Sequence, residues 1–356
     1  MKETLTLLAA SAALLLSSCV KQADFPIFSN SPNHLCFTAE ADGLQMQLDT
    51  VGSPTTNTLE YYTEGGTWTD VTIGTAFPGS GLNIGQKVYV RAKTNRTAQQ
   101  DNNNYIHFTG SADYEVSGNI MYLVDSEGGD SYTMKAYEFN YLFKNDAHLK
   151  SAENLILPAK TLETNCYHGM FYRCKALTQA PALPATTLKD YCYKYIFYGC
   201  EALESAPALP AEELAPFCYY GMFIGTALTS APALPATTLA WGCYCEMFSD
   251  CTALTTAPAL PATTLTVDCY YEMFKGCTSL NAVTCLATDG FDAEDCLGDW
   301  LKNTAEDDNG ILTVAGGTSS NWVKSTNYPS NWSVRIFGST GTAKAKLDGT
   351  NEEDVN

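Results

Sequence analysis

Cysteine is the residue best equipped for chemistry in this chain: there are fourteen, and eight of them form pairs spaced eight apart. The pairs are Cys166/Cys174, Cys192/Cys200, Cys243/Cys251 and Cys269/Cys277; Cys218 stands alone, with Thr226 where its partner would be. Thiolates ligate metals and form disulfides, and each role demands its own geometry. On a helix, eight residues span roughly 12 Å, too far for a disulfide. Metal ligation calls for tight C-x-x-C pairs, and only Cys243-x-Cys245 comes near. Bridges between neighbouring units fit the spacing, but thiols buried as small hydrophobes are the expectation.

Other reactive types are scattered. The four histidines, His34, His107, His148 and His168, belong to no metalloprotease or nucleophile-elbow pattern. Gly79-Ser80-Gly81 with Gly85 lacks the strand-to-helix context that cradles phosphate. Asp125–Asp130 and Glu306–Gly310 are acidic turns without EF-hand spacing. Neither a catalytic group nor a cofactor site is therefore expected. The remaining candidates are aromatic. Tyr167, Tyr193, Tyr219, Tyr244 and Tyr270 each follow a cysteine, and Tyr195, Tyr220 and Tyr271 add to them. Half-exposed, such a row suits sugar rings or peptides; buried, it pads a core.

These residues are positioned by five tandem units, 157–182, 183–208, 209–233, 234–259 and 260–285. Their shared phrase is L-P-A-x-x-L-x-x-x-C-Y-x-x-[MI]-F-x-x-C-x-[AS]-L, and a period of this length marks a solenoid whose units bury their apolar faces on one another. Leu188, Cys192, Ile196 and Cys200 lie four apart, which predicts one stripe of a short helix. The segment after it predicts a parallel strand of two to four residues, stopped by Pro181, Pro207, Pro232 or Pro258. Phe171, Phe197, Phe223, Phe248 and Phe274 should stack as one column, and Leu177, Leu203, Leu228, Leu254 and Leu280 as another. Tyr137 to Pro158 reads as a degenerate first copy, and Gly290 to Asn303 as a closing helix.

Before the repeats, residues 33–118 carry short alternating runs split by turn residues, which predicts a small β-sandwich. The expected organisation is a signal peptide (1–18), a linker (19–32), the sandwich (33–118), a degenerate capping copy (119–156), the repeats (157–285), a C-terminal cap with a β segment (286–338) and a tail (339–356). The whole is an α/β solenoid of short parallel strands and short helices behind an all-β domain. Acidic residues outnumber basic ones by 39 to 20, giving a formal charge of −19 that repels phosphate backbones and argues against nucleic acid as a partner.

Two resemblances add an address and a class. The apolar run Leu5 to Leu16 ending in Leu16-Ser17-Ser18-Cys19 resembles a bacterial lipobox, which implies lipid on the Cys19 thiol and a place in the cell envelope as an outer-membrane lipoprotein. Cys174-Lys-Ala-Leu177-Thr-Gln-Ala180-Pro-Ala-Leu183-Pro184, preceded by Met170-Phe171, resembles the BspA-like leucine-rich repeats of bacterial surface proteins. That resemblance spans 137–303 and implies a curved, non-enzymatic solenoid that adheres to host matrix protein, another cell or a glycan. It assigns no ligand residues. The alternatives are a structural spacer of the envelope, or a hydrolase with its site in the N-terminal domain.

Overall fold

The computed structural model describes residues 33–54, 58–94, 100–126, 133–305, 310–315, 322, 329 and 332–336. Cys19, the signal segment, the linker and the tail lie outside the described residues, as do 127–130 and 306–309 of the two acidic turns. The described residues from His34 onward form one compact unit.

Alternation of apolar and polar residues produces the expected strands. They are β1 (Leu35–Ala39), β2 (Leu44–Val51), β3 (Leu59–Thr63), β4 (Thr69–Asp70), β5 (Phe77–Leu82), β6 (Lys87–Ala92), β7 (Tyr105–Gly110) and β8 (Tyr114–Asn119). In β2 the odd-even pattern is plain: Leu44, Met46 and Leu48 are buried and the residues between them are not. One antiparallel sheet runs β8-β1-β6-β3-β4 and a second runs β5-β2-β7. Phe37 of the first meets Phe108 of the second with ring centroids 5.2 Å apart. Strand β5 holds Pro78, Gly79 and Gly81, turn residues that hide a strand from sequence reading. It lies at an edge of its sheet, where a missing N–H donor is tolerated.

The expected boundary at residue 118 is crossed by hydrogen bonds. Strands β9 (Leu149–Ser151) and β10 (Leu155–Ile156) both pair in parallel with β8, so the sandwich continues into the first copy of the repeat. Buried Asp146 locks this junction. It accepts bonds from the Gly110, His148 and Leu149 amides and from the Tyr114 hydroxyl.

The repeats correct the helix expectation. Across 157–285 no α-helix forms, and the same holds for the expected closing helix at Gly290–Asn303. Each unit instead contains a ten-residue coil with a left-handed residue every fourth position: Asn165, Gly169 and Arg173, then Tyr191, Tyr195 and Gly199, then Phe217, Gly221 and Gly225. The series continues through Gly242, Glu246 and Asp250, then Asp268, Glu272 and Gly276, and ends in Asp295, Asp299 and Asn303. The reason lies in the spacing itself. An α-helix drifts by about 40° with every step of four residues. Cys192, Ile196 and Cys200, with Tyr193 and Phe197 as a second row, keep two strictly four-residue stripes, and only a period of four holds both rows on one face.

Every amide from Asn165 to Cys174 is accounted for. In the first unit the amides of Cys166, His168, Met170, Tyr172 and Cys174 donate to the carbonyl three residues back. The amides between them, Tyr167, Gly169, Phe171 and Arg173, donate to Cys192, Lys194, Ile196 and Tyr198 of the next unit. A buried amide must find a partner, and here alternate amides close turns and join units.

The expected parallel strands shrink to single bridges where prolines recur, Ser151 to Gln179 and Ser230 to Thr256, and the bridges Thr161 to Thr187 and Thr187 to Glu213 fall in a separate segment after each Leu-Pro-Ala. A regular sheet appears only as the prolines cease. Two-residue β11 (Ala259–Leu260) pairs with the proline-free β12 (Ala282–Cys285), which continues to β13 (Ile311–Val314) and β14 (Ser333–Ile336).

Inside the coils, the phenylalanine column forms as predicted. Rings from Phe143 to Phe274 stack at 5.4–5.7 Å within 11° of parallel. The leucine column from Leu177 to Leu280 is equally enclosed. Trp300 closes the phenylalanine column at its far end, and Trp322 backs Trp300. At the near end Phe143 rests on Phe37 and Phe108 of the sandwich. The degenerate copy is therefore not a frayed cap; it has neighbours on both sides.

Candidate binding face

The structure separates the tyrosines into two sets. Tyr167, Tyr193, Tyr219, Tyr244 and Tyr270 are each 0–1% exposed. They stack on one another at 5.8–6.1 Å, bounded by Phe139 and Trp300. A ligand cannot touch them in the folded chain, so this row, a candidate from sequence, belongs to the core. Their position in the coil explains why: with the phenylalanine four residues on, each tyrosine makes the inward stripe. Their hydroxyls find no protein partner there.

The thiols stay free and buried: Cys36 and the twelve from Cys166 to Cys296 are unpaired in the described residues. Burial pushes the Cys192 thiol up to about 12 and the Cys251 thiol to about 11. The second thiol of a unit has a specific task. Cys174, Cys200, Cys251 and Cys277 donate to the carbonyls of Phe143, Phe171, Phe223 and Phe248 at 2.9–3.1 Å. Thr226, where a cysteine would stand, donates to Phe223 of its own unit, the carbonyl that Cys251 also reaches. No group of three His, Cys, Asp or Glu able to hold a metal occurs among the described residues.

The outward positions of the coils carry the second set. Tyr141, Tyr172, Tyr191, Tyr195, Tyr198, Phe217 and Tyr220 are half-buried, and Trp241 is 53% exposed. They join across units: Tyr172 to Tyr198 at 4.6 Å, Tyr195 to Tyr220 at 4.9 Å, Tyr191 to Phe217 at 5.1 Å and Phe217 to Trp241 at 5.0 Å. Sequence reading named Tyr195 and Tyr220, together with Tyr271, but not the others, because it followed the ring after each first cysteine. A four-residue period would have found them.

Backbone and side chain cooperate to hold this face. Tyr141, Tyr195 and Phe217 stand at φ of 57°, 56° and 53°, a region that costs a non-glycine residue about 1–2 kcal/mol. The Cδ1–Cε1 side of each ring closely approaches a glycine of the following unit, Gly169, Gly221 and Gly242 respectively, where any Cβ would overlap the ring. Glycines stand at the equivalent outward positions of other units, so the coil itself does not need these aromatics.

Three cations are set among the rings. The Lys144 ammonium lies 4.2 Å from the Tyr141 centroid and bonds the Tyr105 hydroxyl at 3.2 Å. Lys194 sits among Tyr220, Tyr195 and Tyr191 at 4.7, 5.0 and 5.2 Å. Arg173 stands over Tyr172 and Tyr198 at 5.4 and 5.8 Å. None of the three forms an ion pair in the described structure, although Lys93, Lys150, Lys175, Lys275 and Lys302 all do. Burial lowers the Lys194 pKa and raises that of Glu246, which accepts from the Tyr220 hydroxyl at 3.0 Å. His168, enclosed beside Tyr141, is pushed down to about 3 by burial and by the positive Lys194 and Lys144.

Beyond Trp241 the face changes sign. Residues 135–200 hold eight basic and five acidic side chains, whereas 201–305 hold two basic and thirteen acidic. Glu246, Asp250, Asp268, Glu272, Asp295 and Asp299 occupy the outward left-handed positions that aromatics hold earlier. The aromatic, cationic half and the acidic half thus share one architecture and differ in chemistry.

No family model matches the chain, and no curated protein matches it. Among solved structures the chain is similar to a leucine-rich repeat protein from Bacteroides ovatus, at 15% identity and a TM-score of 0.29, over 50% of this chain and 43% of that one. The chain thus spans less than half the length of that protein.

Proposed function

We propose that this chain is a non-enzymatic binding protein of the bacterial cell envelope, anchored by lipid at Cys19, whose repeats adhere to a macromolecule through the half-exposed aromatic face from Tyr141 to Trp241. The observation that carries the reading is the placing of Tyr195 at a strained left-handed position where both neighbouring units have glycine, Gly169 and Gly221, beside Tyr191 and Phe217 where the next unit has Gly242. Strain retained without a packing need is a mark of function. An envelope spacer with no dedicated ligand would have no use for it. Two carboxylates beside the sandwich are engaged within the fold: Asp146 at the junction, and Asp113 with His148 and Lys150.

Two experiments test this reading. Replacing Cys19 by Ala should move the protein from the membrane to the released fraction, and retention as tight as the parent's would contradict the anchor. The full chain probed on arrays of matrix proteins and glycans should hold a ligand that Trp241→Ala with Lys194→Gln releases and Lys189→Gln does not. A ligand held equally by all three chains would contradict the face.

A further inference from the structure

We infer that the ligand class of this face is an acidic polysaccharide, its carboxylates met by Arg173 and Lys194 and its sugar rings laid against Tyr195, Tyr198, Tyr220 and Trp241. The inference rests on the proposed binding role of the face and names what that face takes.

Charge comes first. In a chain with almost twice as many acids as bases, a cation normally finds a carboxylate within its own fold, as Lys175 finds Glu201 and Lys275 finds Glu272. Arg173 and Lys194 do not, and are held by ring faces instead. A cation over a ring keeps its charge and its N–H donors for a further partner. The ring edges around them add to this, because an aromatic quadrupole is positive at its edge. The half-exposed rings are mainly phenols, whose hydroxyls donate to and accept from an alcohol or carboxylate.

Periodicity decides the class. Outward rings meet from unit to unit, Tyr172 on Tyr198, Tyr195 on Tyr220 and Phe217 on Trp241 at 4.6–5.0 Å, while the cations stand at different places in their units. A polymer of similar units can lay successive rings on successive rungs. A folded protein's surface has no such repeat. Nucleic acid is also periodic, and polythymidylate therefore enters the test as the competing polyanion. An acidic polysaccharide segment held from Arg173 to Trp241 stops short of the acidic half that begins at Glu246.

The test uses the full chain and polygalacturonate, with its fully methyl-esterified form, dextran, single-stranded polythymidylate and polyglutamate as comparisons. Polygalacturonate should bind, weaken as salt rises, and lose at least tenfold in affinity in Lys194→Gln and in Arg173→Gln, while Lys189→Gln binds like the parent. Trp241→Ala should weaken it with unchanged salt dependence. Binding to the methyl ester or dextran as strong as to polygalacturonate, or to polythymidylate or polyglutamate at equal strength, would overturn the inference. So would affinity that survives both cation variants. If polygalacturonate fails while an array ligand is still released by Trp241→Ala with Lys194→Gln, the ligand class falls and the face stands. If no array ligand responds to those variants, the face itself falls.

Discussion

His168 shows how far the coil bends ordinary side-chain chemistry. Enclosed under Tyr141, whose hydroxyl lies 3.2 Å from Nε2, it stays neutral in the folded chain down to about pH 3, while an unfolded chain protonates it near 6.5. The unfolded state then binds more protons between those limits, so stability is fully present above about 6.5 and is lost as pH falls toward 3. The denaturation midpoint of the parent should therefore drop more steeply from pH 7 to pH 4 than that of His168→Gln, narrowing the gap between them by on the order of 2 kcal/mol. Parallel curves would show that His168 is protonated within the fold. Tyr219 makes a second prediction. Its buried hydroxyl has no protein partner, so Tyr219→Phe should stabilise the fold by about 1 kcal/mol by removing an uncompensated desolvation cost. A loss above about 1 kcal/mol in urea denaturation would reveal a bond to that oxygen.

At the level of the element, the coil is decided by spacing and by glycine. Gly221 stands at φ 58° beside the Tyr195 ring, so a side chain there meets both backbone strain and a collision. Gly221→Ala should cost about 2–4 kcal/mol, combining the left-handed penalty with overpacking. A neutral result would mean that the ring does not approach the backbone closely. In the phenylalanine column, Phe223→Ala should cost about 3–5 kcal/mol. Phe143→Ala should cost as much, because Phe37 and Phe108 back it where a solenoid end would be open. Denaturation in which Phe143→Ala is clearly the milder would contradict that junction. Much of this was legible beforehand: the buried columns of Phe171 to Phe274 and the hydrophobic thiols follow from period and residue type. The helix was not, since a four-residue stripe fits both an α-helix and a four-residue coil over one unit. The two readings differ only when Cys192/Ile196 and Tyr193/Phe197 are required to face inward together.

Over the whole molecule, the sandwich, the first copy and the five units are one continuous hydrogen-bonded body, with the Trp300 and Trp322 rings closing the far end. Along that body the outward positions pass from aromatic and cationic to acidic without a change of fold, because a coil fixes its inward stripes and leaves the others to function. The partition was half visible from sequence. Tyrosines recur in every unit, but which of them faces water depends on the coil's hand and period, and the regular row after each cysteine is the buried one. The central claim is that partition, and native-state tyrosine nitration followed by peptide mass spectrometry measures it directly. Tyr172, Tyr195, Tyr198 and Tyr220 should be modified in the folded chain, and Tyr167, Tyr193, Tyr219, Tyr244 and Tyr270 only after denaturation. Modification of the second group in the native protein, with the first group spared, would contradict the account.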